Sequence, residues 1–189
     1  DDGLSFISDI SEARPYQFIN ADIFAQAYAS YLVGLADVAL PDNHYDAPLY
    51  GFLMKSLDLI EEKIDMLVVT YIFELQVMSR FGAQLDFGQC VFCHRKDLPM
   101  DFSYKFNGCL CRNHFDADMR RSHLDPNVIF LCHSFMAMDL DKLPSINLSD
   151  DMKKKIRVFI DALYDHYIGV QIKAKKFIDG LDGWADIMK

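Results

Sequence analysis

Apolar residues recur at intervals of three and four along most of the chain, and that spacing predicts helices. Asn20 is the N-cap the pattern predicts for the first of them. Ile23, Ala27, Ala29, Tyr31, Val33, Gly34 and Val38 then carry a long apolar face up to Pro41. Residues 41–47 are polar. Asp46 with Pro48 two residues on marks the next helix start, followed by Leu49, Phe52, Leu53, Leu57 and Ile60. A further helix is expected over residues 63–81, stopped by Gly82. Leu67, Val68, Val69, Tyr71, Ile72, Phe73, Leu75, Val77 and Met78 make it apolar on nearly all sides, so it belongs at the centre of the fold. Glu74 and Arg80 are its conspicuous charges. Asp125-Pro126 opens another apolar segment (Val128, Ile129, Leu131, Phe135, Met138), broken at Leu143-Pro144. Ser149 can cap a helix to about residue 168, with Met152, Ile156, Phe159, Ile160, Leu163 and Tyr167 inward and Gly169 at its end. A last short helix is expected over residues 173–181.

Residues 1–19 follow another pattern. Leu4, Phe6 and the run Tyr16-Gln17-Phe18-Ile19, with Pro15 beside it, favour short strands. The expected architecture is therefore mainly α: a helical, bundle-like domain over residues 20–189, with a loop inserted at about 87–115 and a short β remnant at 1–19. The chain opens Asp1-Asp2-Gly3 without an initiator Met. It is expected to be a fragment or a trimmed product whose N-terminal part holds some of the function.

With 189 residues, 51% of them hydrophobic, the chain can bury a core without covalent staples. Its apolar stretches are broken by charge within about ten residues, so none reads as a membrane span, and no secretory signal is visible. The formal charge of −9 is uneven: residues 1–86 carry 4 Lys and Arg against 14 Asp and Glu, whereas residues 87–121 carry 6 against 4 and residues 151–189 carry 8 against 6. A polyanion should avoid the first segment and seek the inserted loop or the C-terminal end.

The loop holds the strongest chemical signal. Cys90-Val-Phe-Cys93 is followed after seventeen residues by Cys111-Arg-Asn-His114. Each pair, with two residues between its donors, forms a turn that can aim both at one ion, and this is the spacing of a structural zinc site. Three thiolates and one imidazole would fill a tetrahedron, leaving no position for a reacting water. Cys109 competes with Cys111 as third ligand, and Cys132, in the apolar run 128–131, reads as core. The bland alternative is five unrelated thiols in a reduced cytosolic protein. A disulfide framework is disfavoured by the odd count and the large core. The loop itself has few apolar residues, so metal is expected to hold it.

His94, His123, His133 and His166 have no partner at a spacing that specifies catalysis, and there is no nucleophile motif, phosphate loop or HExxH. Basic residues cluster at Lys153, Lys154, Lys155 and Arg157, at Arg112, Arg120 and Arg121 near the loop, and at Lys173, Lys175 and Lys176 beside Phe177. Such clusters suit phosphates or acidic peptides. Arg80 joins Arg112, Arg120, Arg121, Lys173, Lys175 and Lys176 as a candidate contact.

Three motifs in order resemble those of the bacterial recombination mediator family RecO. They are Gln84-Leu-Asp-Phe-Gly-Gln-Cys90-Val-Phe-Cys93 after the helix ending at Gly82, Gly108-Cys-Leu-Cys111-Arg-Asn-His114, and Ile172-Lys-Ala-Lys-Lys-Phe-Ile178. His114 stands where many members have a fourth cysteine, and the family's N-terminal OB-fold is almost wholly missing. The resemblance implies a cytoplasmic, nucleoid-associated, non-enzymatic role in DNA repair. It implies binding of single- and double-stranded DNA and of the acidic tail of single-strand-binding protein, and RecA loading and strand annealing with RecR, zinc being structural. Two rivals follow from the residues: a zinc-stabilised helical module that binds only protein, which the acidic first half suits, and a metal hydrolase, which four ligands argue against.

Overall fold

Five helices begin on a side chain that accepts from backbone N–H groups left orphaned in the first turn. This computed structural model describes residues 9–10, 13–41, 44–143, 146–170, 172, 174–178 and 180. Asp22 caps α2 (Ile23–Val38), Asp46 caps α3 (Ala47–Glu61) and Asp65 caps α4 (Met66–Val77). Asp125 caps α5 (Pro126–Met136) and Ser149 caps α6 (Asp150–Tyr167). The cap of α2 is thus Asp22, not Asn20: its carboxylate accepts from the Ala25 N–H at 2.8 Å.

The expected strand at residues 16–19 is a short helix, α1 (Gln17–Ala21), and Leu4 and Phe6 lie outside the described residues. Tyr16 gives α1 no side-chain cap. Glu61, at the end of α3, supplies one: its carboxylate accepts from the N–H groups of Gln17, Phe18 and Ile19 at 2.8–3.0 Å. A contact made 42–44 residues away overrides the local strand preference of the aromatic and β-branched run.

The last turn of the central segment tightens into a 3₁₀ helix, Met78–Phe81, and Gly82 ends it at φ 84°. α5 stops at Met136, earlier than the Leu143-Pro144 break. There Gln76 of α4 donates its amide to the carbonyls of Phe135 (2.9 Å) and Met138 (2.8 Å), which stabilises an end that the local pattern does not signal. Residues 174–178 are helical, with Ile178 buried.

α4 packs against α2, α3, α5 and α6, and its residues from Val68 to Leu75 are all buried. Phe73 stacks on Phe52 of α3 at 4.9 Å. The all-round apolar pattern therefore locates this helix correctly. No helix among the described residues is long and apolar enough to cross a membrane.

The insertion is more ordered than the sequence suggests. β1 (Met100–Ser103) and β2 (Gly108–Cys111) form an antiparallel hairpin with Phe102 opposite Cys109. Phe102 is fully buried, 5.7 Å from Phe87 and 5.5 Å from Phe159 of α6 between ring centroids. The root of the insertion is part of the main core, so the expectation that metal alone holds this segment does not extend to its root.

Candidate metal centre and nucleic-acid interface

The two ligand pairs come from different local structures. Cys90-Val-Phe-Cys93 forms a tight turn in which the His94 N–H donates to the Cys90 carbonyl at 2.9 Å, with His94 at φ 56°. That turn is tied to the hairpin by a bridge between Cys90 and Cys109, the Val91 N–H donating to the Cys109 carbonyl at 2.9 Å. Cys111 closes β2, and the 3₁₀ helix Arg112–Ala117 turns His114 back toward it.

The donor atoms of Cys90, Cys93, Cys111 and His114 all lie within 4.8 Å of one another. Cys93 Sγ is 3.7 Å from Cys111 Sγ, and His114 Nδ1 is 3.5 Å from Cys90 Sγ and 3.4 Å from Cys111 Sγ. A tetrahedron with zinc–sulfur bonds of about 2.3 Å and zinc–nitrogen bonds of about 2.0 Å has edges of about 3.7 Å and 3.5 Å. The donor set therefore fits zinc in both chemistry and spacing. Burial opposes ionisation of Cys90, but backbone N–H groups of Cys111, Cys93 and Phe92 outweigh it and bring its thiol down to about 6. Burial pushes the Cys111 thiol up.

Cys109 is not in the group. It is fully buried in the hydrophobic core, where burial raises its thiol well above the ordinary range. Cys132 is core as read from the sequence, its thiol pushed up to about 12 by burial. Among the described residues the Cys90 cluster is the one group of three or more possible metal ligands, and the other histidines join none.

The basic clusters read from the sequence are largely neutralised in the fold. Arg80 pairs with Asp46 at 2.8 Å, and Arg121 with Asp101 at 3.0 Å while its guanidinium lies 4.3 Å from the Phe115 ring centroid. Lys153 pairs with Asp65 at 2.5 Å, Lys155 with Asp151 at 2.8 Å, and Arg157 with the buried Glu74. The segment from Lys153 to Arg157 is thus no continuous cationic surface. Lys175 is 3.3 Å from Asp161. Arg112, Arg120 and Lys176 are exposed, and Lys173 lies outside the described residues.

Sequence reasoning missed the partner of Glu74, although a carboxylate in an all-round apolar helix demands one. It also missed the aromatic rim of the ribbon, Phe92 and Phe106.

Fold and site together define an α-helical domain carrying a Cys₃His ribbon between its fourth and fifth helices. A family model described as "Recombination protein O C terminal" matches residues 20–176. The DNA repair protein RecO of Lactococcus lactis subsp. cremoris (strain MG1363) is 59% identical over 189 residues, covering 100% of this chain and 75% of that protein. RecO of Streptococcus thermophilus (strain ATCC BAA-491 / LMD-9) is 53% identical over 188 residues, 100% of this chain and 73% of that protein. RecO of Streptococcus suis (strain 05ZYH33) is 50% identical over 189 residues, with the same shares. No solved structure matches. The chain belongs to the RecO family, as its three ordered motifs suggest.

Proposed function

We propose that this chain is the helical part of a non-enzymatic DNA-repair and recombination mediator. It binds single- and double-stranded DNA and the acidic tail of single-strand-binding protein, and acts with RecR to load RecA and anneal strands in the bacterial cytoplasm. The OB-fold expected at residues 1–19 would end before α1, since Gln17–Ala21 is helical and bound to Glu61 of α3, and the helical domain would run from α1 onward with the metal ribbon at 87–115. The observation that carries this reading is 50–59% identity, over the whole chain, to proteins named DNA repair protein RecO.

Cys90, Cys93, Cys111 and His114 would hold the zinc. With four protein donors the metal braces the ribbon and has no open position at which to activate water. The visible spectrum of a cobalt-substituted sample should show closed, thiolate-rich tetrahedral coordination. Exposed Arg112, Arg120 and Lys176 are the best candidates for phosphate contacts, with Lys173, Lys175, Arg80 and Arg121 secondary because the described ones are paired.

Strand annealing tests the reading. The chain should accelerate pairing of complementary strands coated with single-strand-binding protein, and its DNA affinity should fall as salt rises. Absence of DNA binding at low salt would favour the second reading, a zinc-stabilised helical module that binds only protein. The excess of carboxylates in residues 1–86 supports that alternative.

A further inference from the structure

The ribbon carries two aromatic rings that the core does not use. Phe92, inside the Cys90–Cys93 turn, is 47% exposed. Its ring meets that of Phe106 edge-on at 4.9 Å between centroids and lies 5.4 Å from that of His114. Phe106 occupies the turn between β1 and β2, and neither ring joins the core cluster. Lys105 Nζ sits 4.8 Å from the Phe106 centroid. Arg112 is exposed at the start of the short helix that carries His114.

These rings are held on a stiff frame. The turn and the hairpin approach so closely that a Cβ on Gly108 would lie 2.5 Å from the Val91 side chain. The surrounding segment is cationic in an acidic chain. An acidic peptide would match the charge but has no need of two ring faces. A duplex keeps its base faces stacked inside. Unpaired nucleic acid presents both phosphates and open base faces, and aromatic rings flanked by cations suit both.

We propose that Phe92 and Phe106 form a stacking platform for bases of single-stranded nucleic acid, with Lys105 and Arg112 meeting the adjacent phosphates. This rests on the DNA-binding reading above and assigns that binding to a surface. Base contact then depends on the metal ribbon, because the ribbon sets the angle between the two rings.

The test is titration of the chain with a single-stranded oligonucleotide containing 2-aminopurine and with a duplex of the same length, with zinc content measured for each variant. Phe92→Leu should weaken single-strand binding about tenfold and reduce the quenching of 2-aminopurine, with duplex affinity unchanged. Phe92→Tyr should bind as the wild type does, and Phe106→Ala should behave as Phe92→Leu. Lys105→Gln should lower the slope of log affinity against log salt by about 0.7. The proposal fails if zinc-loaded Phe92→Leu and Phe106→Ala bind the single strand normally, or if both lose duplex affinity equally. It also fails if an acidic peptide is the probe whose binding depends on Phe92. A wild-type chain that binds no DNA overturns the broader reading as well, whereas normal binding by the two variants overturns only the platform.

Discussion

The carboxylate of Glu74, fully buried on α4, accepts from both terminal nitrogens of Arg157 on α6, at 2.7 Å and 3.0 Å. Tyr31 of α2 donates its hydroxyl to the same carboxylate at 2.6 Å, and Tyr164 donates to the Glu74 carbonyl at 2.9 Å. One acidic residue thus links three helices at the centre of the bundle. Burial alone would lower the Arg157 pKa, but the Glu74 carboxylate holds it well above the ordinary value. The pair continues outward, since Arg157 also meets Asp161 at 2.7 Å and Asp161 meets Lys175 on the C-terminal segment.

Breaking this pair from one side strands the other charge in an apolar interior. Arg157→Ala is expected to destabilise the fold by about 3–5 kcal/mol. The double replacement Glu74→Leu with Arg157→Met should cost much less, because it leaves no buried charge. Urea denaturation of Glu74→Leu, Arg157→Met and the double variant measures the coupling. A double variant as unstable as the sum of the singles would show that the two residues act independently.

Glu61 gives a pH dependence. Burial would raise its pKa, but the three backbone N–H groups of Ile19, Phe18 and Gln17 outweigh it and hold the carboxylate below its usual range. A folded-state pKa below the unfolded one means that the stabilisation is complete above the unfolded value and is lost as pH falls through the folded value. Acidification below about 4.3, the ordinary Glu value, should release α1 before the rest of the bundle. Amide exchange at residues 17–19, followed against pH, reads this directly. Glu61→Gln should leave their protection, taken relative to the intrinsic exchange rate at each pH, low and nearly constant over the same window.

The approach of the two ribbon turns is a steric prediction. Gly108→Ala places a methyl 2.5 Å from Val91 Cγ1. It should destabilise the ribbon by about 1–3 kcal/mol through overpacking. Val91→Ala in the same chain removes the clashing atom and should restore most of the loss. Thermal unfolding of the two variants checks it, and failure of Val91→Ala to rescue would place the clash elsewhere.

Much of this arrangement is legible in the residues because the signals are local. Asp46, Asp125 and Ser149 precede the helices they cap, Gly82 takes the left-handed turn, and the paired donors at 90–93 and 111–114 need no tertiary information. What the residues conceal depends on distant partners. The run Tyr16–Ile19 becomes helical because Glu61 reaches it, and α5 ends at Met136 beside Gln76. Phe102 reads as a loop residue because its burial comes from Phe87 and Phe159. The cluster from Lys153 to Arg157 looks like a binding surface until Asp65, Asp125 and Glu74 are folded against it.

A bound metal is expected to order only part of the ribbon. Its root, built from Phe87, Phe102 and Leu110, is buried and should stay folded without an ion. Its tip, from Cys90 to Arg95 and from Arg112 to Ala117, has Val91 and Phe92 exposed and no buried residue in the second stretch. Zinc binding can supply about 10 kcal/mol or more in small zinc units, so the tip should be ordered only when loaded. Cys90→Ser and Cys93→Ser are expected to lose the metal and open protease sites in those two stretches. Far-ultraviolet circular dichroism should stay nearly unchanged, because the core around α4 does not include the tip. Cys109→Ser should keep its zinc while lowering thermal stability, since that thiol is packed in the core and lies outside the ligand group. Metal analysis of the three variants with limited proteolysis decides the matter. Full zinc content in Cys93→Ser, or loss of zinc in Cys109→Ser alone, would reassign the ligands.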